Sequence, residues 1–185
     1  MGKWFGTMVL ALLFTALGGA VALAGPPVSA VSASSDADKP AAGRPHPAAT
    51  EAEKTLDKLL RLSEKRAGLV DALLGRPGGG KGDAALAREL TTARLRHDLA
   101  ELERKAVRDN CKGRYIPGEL CGLDYNPLTC AQDESDAPYS YRTTAATPDR
   151  ADIVYSWPGA ANPSASFIMV REGEAWKLDA VRCLP

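Results

Sequence analysis

The chain has 185 residues, with 23 lysines and arginines against 23 aspartates and glutamates. That neutral balance excludes a general nucleic-acid surface, which needs a dense array of cations to displace phosphate counterions. The length is that of one domain, large enough to bury a core of its own.

Residues 1–24 carry one charge, Lys3, then an apolar run from Trp4 to Leu23 that closes on Ala22-Leu23-Ala24 before Gly25. A basic start, an apolar middle and small residues at the last and third-last positions predict a secretory signal peptide cleaved after Ala24. The alternative is an uncleaved N-terminal membrane anchor, since about 20 apolar residues can span a bilayer. Gly18, Gly19 and the following Gly25-Pro26-Pro27 favour cleavage, because they weaken a permanent helix. The expected location is periplasmic or secreted, with no membrane contact once the signal is removed. Cleavage takes away Lys3 alone, leaving 22 basic against 23 acidic residues.

Residues 25–49 alternate Pro26, Pro27, Pro40, Pro45 and Pro47 with Ala, Ser and Gly. This composition cannot bury enough apolar area to offset the entropy of ordering, and predicts a disordered tether. Residues 50–185 then read as a single α+β domain.

Thr50 with Glu53 three residues on is a capping box. Leu56, Leu59, Leu60, Ser63, Ala67, Val70 and Leu74 follow at three- and four-residue steps, one buried stripe of a helix that stops at Gly75-Arg76-Pro77. A second helix is predicted from the cap Asp83 to about Arg108. Its stripe is Leu86, Leu90, Ala93, Leu99, Leu102 and Val107, its outer face includes Glu101, Glu103, Arg104 and Lys105, and Leu95 departs from the pattern. The two long helices are expected to lie antiparallel.

Four β-rich runs follow: Tyr139 to Thr147, Asp152 to Trp157, Ser166 to Arg171 and Ala175 to Cys183, the last two joined by a loop at Glu172-Gly173-Glu174. Sequential short strands with tight turns predict a curved antiparallel sheet of three to four strands.

In an exported chain Cys111, Cys121, Cys130 and Cys183 read as two disulfides. Three pairings are possible, and Cys111–Cys121 with Cys130–Cys183 is the preferred one. Intervals of nine and eight residues do not suit a zinc ribbon. His46 falls in the tether and His97 in a helix, so no metal site and no cofactor is expected.

Gly75 to Lys81 has the spacing of a phosphate-binding loop. Gly82 stands where Ser or Thr must hold magnesium, and the loop joins two helices rather than following a strand, so it reads as a connector. Asp124, Asp133, Glu134 and Asp136, with Asn126 and Gln132, lack the order of a calcium loop and read as a solvated surface. No nucleophile elbow or triad is present. Asp179 or Asp152 could serve as a proton-transfer base only if burial raised its pKa. Tyr139, Tyr141, Tyr155, Trp157, Phe167 and Trp176 gather in the sheet region. They either fill the space between sheet and helices or, with Tyr141, Tyr155, Trp157, Phe167 and Trp176 on one concave face, line a cavity for an apolar ligand.

The stretch Asn126-Pro127-Leu128-Thr129 with Gln132-Asp133, and the ending Phe167-Ile-Met-Val-Arg-Glu-Gly-Glu-Ala-Trp176-Lys177-Leu178-Asp179-Ala180-Val181, resemble small exported bacterial domains of the nuclear transport factor 2-like (cystatin-like) class. The resemblance covers residues 120 to 183. It implies a curved sheet wrapped around helices with a cone-shaped pocket, and pairing of two copies through the sheet. The acid or His–Asp pair of that class's enzymes has no counterpart here. The expected function is therefore non-catalytic binding of a small apolar ligand or an envelope protein. The alternatives are an inhibitor or accessory subunit of an envelope enzyme, using the Cys111–Cys130 loop, and a pocket enzyme using a buried Asp.

Overall fold

The computed structural model describes residues 44–116, 119 and 121–185, so the predicted signal peptide and most of the predicted tether lie outside the described residues. Chain order is α1 (Glu51–Lys65), α2 (Ala67–Leu74), α3 (Lys81–Leu90), α4 (Ala93–Asn110), β1 (Ser140–Thr147), β2 (Arg150–Ser156), β3 (Ala165–Glu172) and β4 (Ala175–Cys183). Helices precede strands, and the class is α+β.

α1 opens on the capping box: the Glu53 N–H donates to Thr50 Oγ1 and the Thr50 N–H to the Glu53 carboxylate. The single helix expected over 50–74 is two helices, because Arg66 leaves the helical region at φ −134° and ψ 85°. Arg66 is drawn to Asp83, 2.6 Å away. Gly68 of α2 lies so close to Asp83 that a Cβ there would meet its carboxylate at 2.5 Å. The break thus sets α2 against the first turn of α3. Asp83 is not the N-cap that its position suggests; α3 starts at Lys81 on Gly80.

The second expected helix is also divided, at Thr91 and Thr92, both with extended backbone. Thr91 forms a bridge with Leu178 of β4, and the Thr92 N–H donates to the Leu178 carbonyl at 2.9 Å. Thr92 Oγ1 then caps α4 by accepting the Leu95 N–H. Consecutive β-branched residues with a hydroxyl each suit an extended joint and a cap better than a helix interior. The joint resets the helical phase, which explains Leu95: it is buried with Leu99 on the inner face of α4.

The strands form an antiparallel meander in the order β1-β2-β3-β4. Directly opposed residues share a face, so Tyr141, Tyr155 and Ala165 make one inward row, and Thr143, Ile153 and Phe167 the next. These meet Leu56, Leu59, Leu60, Leu95 and Leu99 from the helices in one core. The other face, with Val154, Ser166, Ile168, Val170 and Ala180, is half-buried. Two bulges interrupt the ladder, leaving Thr144 of β1 and Asp179 of β4 without partners.

Each outer edge is met by one bridge among the described residues. Thr91 meets β4, and His46 meets β1, its N–H and carbonyl exchanging bonds of 2.9 and 2.7 Å with Tyr141. Residues 46–49, part of the predicted tether, are therefore docked on the domain.

The cysteines pair Cys111–Cys121 and Cys130–Cys183, each with Cα atoms 5.5 Å apart. The first closes a loop of separation 10 just after α4, the second a loop of separation 53 that fastens the segment before the sheet to the end of β4. Chain entropy assigns about 3 kcal/mol to the short loop and about 4 kcal/mol to the long one. Denaturant unfolding of Cys111→Ser/Cys121→Ser and Cys130→Ser/Cys183→Ser proteins is expected to show losses of that size, the second pair losing more. Equal stability of the wild type and the Cys130→Ser/Cys183→Ser protein would contradict the role of the long staple.

Candidate functional site

The five aromatics expected to line a pocket are not gathered on one open surface. Tyr141, Tyr155 and Phe167 have between 0 and 1% of their surface exposed and fill the space between sheet and helices. Tyr139 packs edge-on against Tyr155, ring centres 5.0 Å apart, with Trp157 half-buried on its other side at 5.9 Å. Trp176 is half-buried elsewhere, under the Arg171 guanidinium at 5.0 Å, in a shallow cleft of about 260 Å³ with Thr55, Lys58 and Leu90.

The buried phenols are tied down. Tyr141 donates to Asp57 at 2.8 Å, Tyr155 to the Thr129 carbonyl at 2.7 Å and Tyr139 to Glu64. Arg61 stacks on the Tyr139 ring at 3.7 Å and donates to the carbonyls of Ser135 and Ala137. Burial pushes all three phenols up, and the carboxylates facing Tyr139 and Tyr141 push further. They stay protonated donors at physiological pH and are poor acid–base groups.

Asp179 corrects the proton-transfer reading. The bulge in β4 re-aims its carboxylate at the N-terminus of α4, where Arg94 and the capping Thr92, at 2.8 Å, both donate to it. The Arg94 bond holds the Asp179 carboxyl below its ordinary range, the opposite of what a base buried in an apolar cavity needs. Asp152 forms an ion pair of 2.8 Å with Arg150.

The glycine-rich connector has a packing role. Gly75 ends α2, and Gly79 lies against that helix so closely that a Cβ would come within 2.7–2.9 Å of Ala72. Lys81 is simply the first residue of α3. His97 is exposed near Glu101. In the acidic loop Gln132 donates to Asp124 at 3.3 Å and Asn126 to Ser63 at 2.8 Å. Among the described residues no group of three His, Cys, Asp or Glu could hold a metal ion. Glu64, Asp71, Asp124, Asp133 and Glu134 line an open cleft of about 330 Å³ beside Arg76.

Two buried glutamates organise the rest. Glu53, fully buried, accepts from the N–H groups of Ala49 and Thr50 and from Thr143 Oγ1 at 2.7 Å, with His46 Nε2 at 3.7 Å. Burial alone would raise its pKa; the Ala49, Thr143 and Thr50 donors and His46 together outweigh that and hold it low. Glu103, expected on the outer face of its helix, is buried. It receives Arg76 Nε at 2.7 Å, Arg76 Nη2 at 2.8 Å and the Leu123 N–H at 2.9 Å. Its signal in the sequence is the four-residue interval of Leu95, Leu99, Glu103 and Val107, visible once the helix starts at Thr92 rather than Asp83.

A groove of about 460 Å³ opens beside this ion pair. Leu74 at the end of α2, Pro77 in the connector after it, Val107 from α4 and Tyr115 from the segment after that helix form its apolar surfaces. Arg104 and Arg108 stand along its rim. No family model, characterised protein or solved structure matches the chain.

Gly122 sits at φ +84° with its Cα against Glu103, where a Cβ would lie 2.1 Å from Oε1. Gly113 has the same φ and open space around it. Gly113→Ala should cost about 1 kcal/mol from the backbone alone. Gly122→Ala should cost about 3 kcal/mol or more, because it also disrupts a buried ion pair. Equal losses in denaturant unfolding would refute the contact.

Glu53 and Asp179 also set a pH dependence. Both are held low when folded, so they stabilise the fold above their unfolded pKa values of about 4.3 and 3.9, and that stability drains as pH falls through the folded values. Tm is expected to be level near neutrality and to drop below about pH 4, with a smaller drop in Glu53→Gln. An unchanged acid profile in that variant would contradict the assignment.

Proposed function

We propose that this chain is exported behind a signal peptide cleaved after Ala24 and acts, periplasmic or secreted, as a non-catalytic binding domain for an envelope protein. The contact surface is the open face of the sheet. The observation that carries this reading is the division of the sheet: its aromatic side is filled, while Val154, Ile168, Val170 and Ala180 form a half-buried apolar patch across β2, β3 and β4. Arg142 and Arg182 stand in the same cross-strand row as Val154, so the face suits a partner that is apolar at its centre and acidic at its rim. Four strands about 4.8 Å apart and some seven residues long offer roughly 450 Å². That is short of the about 800 Å² per side of a standard stable interface, so the contact is a reversible one, and a lasting homodimer through this face alone is disfavoured. Two disulfides fit an oxidising location, and no helix among the described residues is long and apolar enough to cross a membrane.

The nuclear transport factor 2-like resemblance belongs to the same proposal. Helices followed by a four-stranded meander support it, with the difference that the space expected to be a cone-shaped pocket is occupied by Tyr141, Tyr155 and Phe167. A second reading, an accessory or inhibitory subunit using the Cys111–Cys130 segment, draws on the exposed Ile116 within it.

Photo-crosslinking in intact cells separates the two. A crosslinking residue at Ile168 is expected to capture an envelope protein and one at Ile116 is not. Ile168→Glu should abolish the complex while costing stability about 1 kcal/mol. Capture from Ile116 alone would shift the site to the cysteine loop. Capture from neither would overturn the binding reading.

A further inference from the structure

We infer that the groove between α2, α4 and residues 113–115 is a binding site for a single-chain amphiphile with an anionic head, of the fatty-acid carboxylate kind. It is separate from the sheet face. The volume of about 460 Å³ lies in the lower half of the range of small-ligand sites, about 300–1,000 Å³, which suits one chain rather than a two-chain lipid. Leu74, Pro77, Val107 and the Tyr115 ring offer the chain an apolar bed.

The head group follows from charge. In a chain that is neutral overall, residues 104–114 hold five basic side chains and one acidic one, Asp109. Lys105 is paired with Asp109 and Arg104 with Glu101. Arg108, Lys112 and Arg114 form no ion pair among the described residues. Complementing a helix C-terminus accounts for Arg108, in the last turn of α4. It does not account for Lys112 and Arg114, which lie on either side of the lining residue Gly113 in the chain and add to the positive field around the groove. Arginine and lysine heads over an apolar floor are the arrangement that holds a carboxylate by charge-assisted bonds while its chain leaves water.

The wall is also preformed. The chain reverses after α4 through Lys112 and Gly113, both at positive φ, and the Cys111–Cys121 bridge pins that reversal. Arg76, held by Glu103, lies 5.2 Å from the centre of the Tyr115 ring and supports it. A rigid groove avoids the ordering cost that a mobile one would bear on binding.

The test is titration of the full, oxidised protein with decanoate, followed by the methyl resonances of Leu74 and Val107, with decyltrimethylammonium as a control of equal chain length. Decanoate is expected to shift both residues saturably and more tightly than the cationic control. Arg104→Glu/Arg108→Glu reverses the two exposed cations that line the groove and should weaken decanoate about tenfold or more, or about 1.4 kcal/mol, without weakening the cationic control. Tyr115→Ala should weaken both amphiphiles together. Absence of shifts at Leu74 and Val107, equal binding of the two head groups, or an unchanged affinity in the charge-reversed protein would each overturn the assignment. Shifts confined to other residues would do the same.

Discussion

A carboxylate inside a protein must find donors for its charge, and Glu103 finds three in two other segments. Arg76, just past the end of α2, grips it with two nitrogens, and the same guanidinium reaches on to the Leu123 carbonyl while the Leu123 N–H returns to the carboxylate. The ring of bonds fixes α2, α4 and the chain after the first disulfide relative to one another. A pair of this kind contributes little net stability compared with apolar side chains of the same size, but removing one partner strands a buried charge at about 3–5 kcal/mol. Its effect is on position more than on energy. It requires glycine at position 122, fixes Leu123 against α4 and sets Arg76 beside the Tyr115 ring at the groove.

Glu53 does comparable work at the start of α1. One carboxylate closes the capping box, accepts from Thr143 of the sheet and reaches His46, so that the start of the helix, the edge strand and the incoming chain converge on two oxygens. The pairing of His46 with Tyr141 then covers one rung of the β1 edge, as Thr91 does for β4. Both bridges are local and short. An antiparallel sheet with exposed edges is open to pairing with other chains, and bulges at Thr144 and Asp179 add to the protection by breaking the regular ladder.

Much of this was legible in the sequence, and the reasons for the rest are physical. Strand positions were readable because alternation in Ile153, Tyr155 and Phe167, Met169 reports a two-sided environment directly. The cap at Thr50 was readable because its partners are three residues apart. The helix breaks at Arg66 and Thr91–Thr92 were not, since each is fixed by a distant contact: Asp83 for one, the backbone of Leu178 for the other. Leu95 carried the trace of the second break, an apolar residue out of phase with an uninterrupted helix. Glu103 was misplaced for the same reason, and the reset phase would have put it inward. The aromatic cluster was visible as composition, but composition cannot distinguish a lined cavity from a filled one. The difference lies in whether apolar side chains such as Leu56, Leu59 and Leu60 occupy the same buried space as the rings, and they share one core with them.

The neutral net charge conceals a separation that bears on selectivity. Arg76 borders two surfaces at once: the cleft lined by Glu64, Asp71, Asp124, Asp133 and Glu134, and the groove rimmed by Arg104 and Arg108. Because that guanidinium is committed to Glu103, it neutralises neither side, and the acidic and basic surfaces keep their own sign. Screening over about 8 Å at physiological ionic strength lets neighbouring surfaces of opposite sign act on a ligand separately. An anion is therefore turned away from one and retained by the other, although the two share a wall. A change at Arg76 would blur that boundary as well as loosen the fold, whereas a change at Arg104 or Arg108 alters one surface alone.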